Sequence, residues 1–167
     1  MHRKALDVLM GVSRIGVLGA GQMGAGIAQV ASCSGYSVTM VDIDENSVER
    51  GMESIRSSLQ RIVSKGRMEL KDSQAAVELI TRSTNRSDLS ECDLIIEAIP
   101  EILQLKLDTF SKLDNICRRD SILATNTSSI SIDAIAKATN RPDRVIGMHF
   151  MNPVPVSYTH LTLPTSG

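Results

Sequence analysis

The feature that most constrains this chain is a glycine-rich turn between an apolar run and a helix-forming segment. Residues 15–18 are apolar, residues 19–24 read Gly-Ala-Gly-Gln-Met-Gly, and residues 25–31 are mostly small. A strand, a G-x-G-x-x-G turn and a helix in this order are typical of a βαβ unit that binds a dinucleotide. Glycines also occur in ordinary turns, so the motif indicates a dinucleotide site only together with the strand before it and the helix after it.

Each glycine of this turn has a specific task in such a unit. Gly19 allows the tight turn, Gly21 lets the backbone approach a pyrophosphate, and Gly24 lets the helix pack closely against the strand. The amides and dipole at the helix N-terminus then hold the phosphates. Gln22 and Met23 lie within the turn, so we predict that they contact the cofactor as well.

A second apolar run, residues 38–41, ends at Asp42. This position is close to the spacing of about 20 residues at which an acidic side chain binds a ribose hydroxyl. The alternative is that Asp42 simply caps the next helix. A carboxylate here would repel a 2′-phosphate, and residues 43–45 contain no arginine to receive one, so the sequence favours NAD over NADP.

Apolar runs recur along the chain with helical stretches between them, which predicts an α/β fold with a parallel sheet. The predicted strands are residues 15–18, 38–41, 94–98, 122–125 and 145–148, with a weaker strand around 79–81. These runs are nearly continuous rather than alternating, as expected when helices cover both faces of the sheet. We therefore predict a doubly wound sheet of the Rossmann type.

Two helical regions are predicted between these strands. The charged segment 45–79 is interrupted at Lys65 and Gly66, which predicts an inserted helical hairpin. A loop or short turn is expected at residues 85–91. Leu103, Leu107, Phe110 and Leu113 recur at helical spacing and predict a helix that buries this face.

Composition narrows the classes of ligand. The chain has 167 residues, enough for one domain, with 18 basic and 19 acidic residues and 2% aromatic residues. Nucleic acid is therefore not an expected partner, because neither a basic field nor stacking platforms are present. No run of about 18 apolar residues indicates a membrane span. The three cysteines are scattered without a C-x-x-C pair, so no metal site is predicted.

Four blocks, residues 15–29, 95–99, 124–130 and 147–156, resemble the 3-hydroxyacyl-CoA dehydrogenase family, which includes 3-hydroxybutyryl-CoA dehydrogenases. The last block reads Gly-Met-His-Phe-Met-Asn-Pro-Val-Pro-Val. The resemblance implies an NAD-dependent oxidation of (S)-3-hydroxyacyl-CoA to 3-oxoacyl-CoA, or the reverse, in fatty-acid β-oxidation or butyrate metabolism. The expected ligands are thus NAD and an acyl-CoA.

The resemblance assigns the catalytic role to His149, in the His-Phe-x-Asn-Pro motif. An imidazole suits this role because it titrates near neutral pH and can accept the hydroxyl proton as hydride leaves. The resemblance also assigns Ser128 to contact with substrate and nicotinamide, the alternative being an N-cap for the next helix. Asn126 is expected to bind the cofactor from the carboxyl end of its strand.

Four further residues take their predicted roles from the resemblance alone. Glu101 and Lys106 match positions that contact the cofactor, and Ser58 and Lys65 match positions on the helical hairpin that contact coenzyme A. An exposed helix surface explains the same four residues equally well, since charged and polar residues are common there.

The resemblance also defines domain limits. Residues 1–12 are predicted to be an N-terminal tail, 13–156 the NAD-binding domain, and 157–167 a non-family tail for which we hypothesise an artefactual origin. Leu161 stands where the family has the glutamate that orients the catalytic histidine. The helical domain that follows in the family, and that forms most of its dimer interface, is missing, which predicts an inactive fragment of a homodimeric enzyme.

Two questions stay open at the level of sequence. The chain is also compatible with a non-catalytic dinucleotide-binding protein or a structural protein, as in the lens crystallin that resembles these dehydrogenases. The compartment is undecided between cytoplasm, mitochondrion and peroxisome. Residues 1–9 are too short and polar for a secretory signal, so secretion is not expected.

Overall fold

The computed structural model describes residues 11–155, which form one parallel sheet with helices on both faces. The strands are β1 (Arg14–Leu18), β2 (Ser37–Val41), β3 (Ile80–Ser83), β4 (Leu94–Glu97), β5 (Ile122–Thr125) and β6 (Val145–Gly147). The α-helices are α1 (Gln22–Cys33), α2 (Glu45–Ser64), α3 (Leu70–Glu78), α4 (Leu103–Ile116) and α5 (Ile132–Lys137), with short 3₁₀ turns at Arg86–Leu89 and Pro142–Arg144. The predicted tail 157–167, Leu161 and most of the predicted tail 1–12 lie outside the described residues.

The strand order is β3-β2-β1-β4-β5-β6, and every neighbouring pair is parallel. The first strand, β1, lies in the middle of the sheet. Strands β2 and β3 follow on one side of it, and β4, β5 and β6 follow on the other. Ligands of such sheets bind at the carboxyl ends of the strands, where the direction of winding changes. This order confirms the predicted Rossmann-type fold, and it brings the segments that follow all six strands to one edge of the sheet.

The core lies on both faces of the sheet, as the continuous apolar strands predict. On one face, Ile27 of α1 and Met52 of α2 pack in the same cluster as Val17. On the other face, Phe110 of α4 and Ile135 of α5 belong to a second cluster. Helices on both faces hold the strand ends rigidly in place, which is what a binding site at this edge requires.

The helical hairpin is confirmed, since α2 ends at Ser64 and α3 starts at Leu70. One detail of the helix prediction is wrong. Phe110 and Leu113 are fully buried, and Leu107 packs partly buried against the same cluster. Leu103 is 50% exposed, because it is the first residue of α4 and lies outside that cluster. Within residues 11–155, no helix combines the length and apolar character that crossing a bilayer would need.

Candidate functional site

The glycine turn has the geometry of a phosphate cradle. Gly19 has a φ of +109°, and a Cβ there would lie 2.4 Å from the Ala98 carbonyl oxygen. A Cβ on Gly24 would lie 1.8 Å from the Gly19 carbonyl oxygen, so α1 could not approach the turn with any larger residue. A Cβ on Gly21 would meet no atom within 4 Å. Open space therefore lies in front of Gly21, at the N-terminus of α1, where backbone amides and the helix dipole favour an anion.

Asp42 holds this turn from the end of β2. Its Oδ2 accepts a hydrogen bond from the Ala20 amide at 2.6 Å, and its Oδ1 accepts one from the Ile43 amide at 2.6 Å. The cap of α2 is Asp44, whose carboxylate accepts from the Ser47 amide at 2.7 Å. The alternative in which Asp42 merely caps the helix is therefore wrong.

A cavity of about 340 Å³ lies beside Asp42 and the glycine turn. It is lined by Ala20, Gly21, Gln22, Asp42, Ser47, Arg50, Gly51 and Ser54. Sequence reasoning missed Arg50, because only residues 43–45 were considered next to Asp42. The available signal was helical spacing, since Ser47, Arg50 and Ser54 share one face of α2.

Further along the same edge, a buried ion pair joins the last residue of β4 to α4. Lys106 Nζ lies 2.5 Å from Glu97 Oε1, with the two side chains 1% and 0% exposed. Glu97 also accepts hydrogen bonds from the Ile99 amide at 2.8 Å and the Thr125 hydroxyl at 2.7 Å. The exposed-surface interpretation is wrong for Lys106. Sequence reasoning assigned no role to Glu97 or Thr125, although a carboxylate inside an apolar strand is itself a signal of a buried partner.

Glu101 connects this ion pair to the loop after β5. Its Oε2 lies 3.5 Å from Lys106 Nζ, and its Oε1 accepts hydrogen bonds from the Thr127 hydroxyl and, at 3.3 Å, from the Ser129 hydroxyl. Partial burial alone would raise the pKa of Glu101, but the hydrogen bond from Thr127 and the charge of Lys106 lower it below its usual value. Glu101 is thus held as a carboxylate facing the loop.

Ser128 lies in this loop with its residue exposed. It does not cap α5, because that position belongs to Ser131, whose hydroxyl accepts from the Ala134 amide at 3.3 Å. The N-cap interpretation of Ser128 is therefore wrong. The neighbouring Thr127 hydroxyl accepts from the Ile130 amide at 2.9 Å, so it fixes the loop locally and leaves Ser128 at the surface.

The loops after β5 and β6 are joined through Asn126. Its Oδ1 accepts a hydrogen bond from the Phe150 amide at 2.9 Å, and the Met148 amide donates to the Thr125 carbonyl at 2.9 Å. His149 lies between these two anchored residues and is exposed. The structure therefore brings Asn126 and His149 to the same edge as the glycine turn, at the ends of adjacent strands.

Ser58 and Lys65 line a second cavity of about 670 Å³ between α1, α2 and residues 152–155. Arg61 and Arg67 lie at the same cavity, and sequence reasoning did not identify them. Ser58 and Arg61 share a face of α2 with Lys65, the residue that caps its C-terminus, and helical spacing could have shown this. Apolar residues form other parts of the wall, including Ala25, Val30, Ile55, Ile62, Met68 and Val154. Such a cavity suits a ligand with both anionic and apolar parts.

Comparison with known proteins agrees with this geometry. The family model described as 3-hydroxyacyl-CoA dehydrogenase, NAD binding domain, matches residues 14–159. A probable 3-hydroxybutyryl-CoA dehydrogenase of Bacillus subtilis is 44% identical over 147 residues, which are 88% of this chain and 51% of that protein. The human mitochondrial hydroxyacyl-coenzyme A dehydrogenase is 41% identical over 151 residues, 87% of this chain and 48% of that protein.

Solved structures show the same similarity in three dimensions. The crystal structure of (S)-3-hydroxybutyryl-CoA dehydrogenase from Ralstonia eutropha superposes with a TM-score of 0.85 at 43% identity, covering 87% of this chain and 51% of that one. The chain thus spans about half the length of the relatives that it matches. It belongs to the 3-hydroxyacyl-CoA dehydrogenase family and carries that family's NAD-binding domain.

Proposed function

We propose that this chain supplies the NAD-binding half of an enzyme that oxidises (S)-3-hydroxyacyl-CoA to 3-oxoacyl-CoA, or reduces the 3-oxo compound. One observation carries the proposal: the glycine turn, Asp42, Asn126 and His149 all follow strands of one parallel sheet and meet its carboxyl edge. A dinucleotide bound across the switch point would extend from Asp42 toward the loops after β5 and β6.

The residues present fit NAD, which when bound supplies the hydride acceptor. Gly19, Gly21 and Gly24, with Gln22 and Met23 in the same turn, would hold the pyrophosphate through backbone amides. Asp42 would accept hydrogen bonds from the adenosine ribose. The open space in front of Gly21 supports this fit, since a side chain there would obstruct a phosphate.

At the nicotinamide end, Asn126 and Glu101 would contact the cofactor. Lys106 would act there mainly by neutralising Glu97 and holding Glu101, because its ammonium group is buried against both carboxylates. The ion pair would in this way fix the loop that carries Ser128.

His149 would accept the proton of the C3 hydroxyl as hydride leaves that carbon, while the Ser128 hydroxyl donates a hydrogen bond to the same oxygen. The exposure of both side chains supports this role, because a substrate could reach them. Ser58 and Lys65, together with Arg61 and Arg67, would hold the phosphates and pantetheine of coenzyme A in the cavity between α1 and α2.

Because the relatives are about twice as long as the matched region, we also propose that the 167-residue chain binds NADH but does not turn over the substrate by itself. The sheet edge suffices for the cofactor. Turnover needs the remaining half to exclude water and align the two reactants.

The test measures NADH fluorescence on binding to the 167-residue chain and to Asp42→Ala, followed by acetoacetyl-CoA reduction in the same samples. We expect binding by the native chain, a Kd raised roughly tenfold or more in Asp42→Ala, and no turnover. Asp133→Ala serves as the control, because Asp133 is a 74% exposed side chain paired with Lys137 on α5. A folded native sample that does not bind NADH would contradict the cofactor site, and turnover would contradict the need for the remaining half.

A further inference from the structure

An arginine lies in the cavity beside Asp42. Arg50 belongs to the second turn of α2, and its Nη2 donates a hydrogen bond to the Ser47 hydroxyl at 3.0 Å. Ser47 and Ser54 line the same cavity, on the same face of the helix. The part of the cavity lining that α2 contributes therefore carries one guanidinium and two hydroxyl groups, a set of donors that suits a phosphate.

Among the residues that line the cavity, Asp42 carries the negative charge. Asp44, the cap of α2, lies outside the lining, but hydrogen bonds within α2 and, less strongly, the nearby Arg50 guanidinium lower the pKa of its carboxylate. Hydrogen bonds from the Ala20 and Ile43 amides, each of 2.6 Å, fix the Asp42 carboxylate between the glycine turn and the start of α2. A dinucleotide whose adenosine ribose reaches Asp42 would present its 2′ position in the cavity that Asp42 and Arg50 both line. A 2′-hydroxyl can donate to the carboxylate, whereas a 2′-phosphate would be repelled by Asp42 and attracted by Arg50.

We propose that Arg50 is a latent specificity-determining residue: the choice of NAD over its 2′-phosphorylated form depends on the charge of Asp42, and Arg50 with Ser47 binds a 2′-phosphate once that charge is removed. This inference rests on the proposed function, because it takes the ribose to lie beside Asp42. Residues 43–45 contain no arginine, but a nearby helix supplies one. Arg50 comes from the second turn of α2 rather than from the residues directly after the strand.

Four forms of the 167-residue chain test the proposal: native, Asp42→Asn, Asp42→Asn/Arg50→Met and Asp42→Asn/Arg56→Met. Asparagine removes the charge and keeps an oxygen for the Ala20 amide. Arg56 is the matched control, because it lies on α2 outside the cavity and pairs with Glu49 at 3.0 Å. Dissociation constants for NADH and NADPH are measured by fluorescence, and circular dichroism checks folding.

We expect Asp42→Asn to bind NADPH roughly tenfold more tightly than the native chain does. The Arg50→Met substitution should remove that gain, and Arg56→Met should retain it. The inference is overturned if Asp42→Asn gains no NADPH affinity, or if the gain survives the loss of Arg50. Absence of NADH binding by the native chain would instead overturn the cofactor site itself, and this inference with it.

Discussion

Two buried ion pairs lie at opposite ends of the same half of the sheet. Lys106 and Glu97 are 2.5 Å apart at the carboxyl edge, and Arg141 and Asp114 are 2.6 Å apart near the amino ends of β5 and β6. All four side chains are at most 3% exposed. Burial of charges is costly in both places, so each pair depends on the hydrogen bonds around it.

The partners of the two cations differ. Among the described residues, the Arg141 guanidinium donates hydrogen bonds only to groups that support the fold. Its acceptors there are the Asp114 carboxylate and the backbone carbonyls of Asp114, Cys117, Arg118 and Ser121. These contacts join the end of α4 and the start of β5 to the segment before β6. Lys106 instead contacts Glu97, the Ile99 carbonyl and Glu101, which binds the loop containing Ser128. The same kind of bond thus stabilises the fold at one end and the candidate site at the other.

Replacing Lys106 with methionine should have the largest effect, because it changes both stability and binding. Glu97 would remain buried without its cation, which costs about 3–5 kcal/mol of unfolding free energy. Glu101 would lose its anchor, so we expect weaker NADH binding as well. Urea unfolding followed by circular dichroism and NADH fluorescence measure the two effects.

The double variant Lys106→Met/Glu97→Gln provides the control for this prediction. It leaves no unpaired charge in the buried pair, and glutamine can still accept a hydrogen bond from the Ile99 amide, so part of the lost stability should return. NADH binding should remain weak, because Glu101 still lacks its cation. Full recovery of NADH affinity in the double variant would show that Lys106 affects the site only through global stability.

Arg141→Met should affect stability alone. The Asp114 carboxylate would keep only the Asn140 hydrogen bonds and the exposed Arg119 guanidinium at 3.6 Å, and several carbonyls would lose their donor. We expect this to cost up to about 3–5 kcal/mol. NADH affinity should stay at the native value under conditions where the variant is folded, because Arg141 contacts no residue of the carboxyl edge among its described partners. Weaker NADH binding by a fully folded Arg141→Met protein would contradict the assignment of this pair to the framework.

The sequence predicted those parts of the molecule that depend on local pattern. The glycine turn and Asp42 are recognisable because their spacing follows from one βαβ unit, and the apolar strands predicted both the parallel sheet and its two covered faces. The Arg141 pair, in contrast, depends on a contact between distant segments. Asp114 and Arg141 meet across 27 residues, and neither position carries a local signal of that contact.

Residues on helix faces are harder to predict from the sequence than the glycine turn and easier than the Arg141 pair. Arg50 and Arg61 could have been found from the spacing of their helix, once the neighbouring Asp42 and Ser58 were taken as site residues. The role of Ser131 as a cap, instead of Ser128, was harder to predict. Several consecutive polar residues could each have capped α5, and only the backbone geometry of the loop decides between them.

The smallest expected effect concerns pH and tests the Arg141 pair. Burial alone would raise the pKa of Asp114, but hydrogen bonds from the Asn140 amide and the Arg141 guanidinium lower it below its ordinary value. A carboxylate with a lowered folded-state pKa contributes stability above its unfolded pKa and loses that contribution as the pH falls through the folded value. The urea concentration at the unfolding midpoint should therefore decrease as the pH is lowered below about 4, near the ordinary pKa of aspartate.

The comparison that tests this effect uses Asp114→Asn and, as a control, Asp133→Asn on the exposed surface of α5. Asp114→Asn should be less stable than the native chain at neutral pH, with a smaller further loss below about pH 4, because one of the protons taken up on acid unfolding is gone. Asp133→Asn should follow the native curve. Other carboxylates also titrate in this range, so the quantity to compare between native and variant is the slope of the unfolding free energy against pH. Equal slopes for Asp114→Asn and the native chain would show that the Arg141 pair contributes nothing to acid stability.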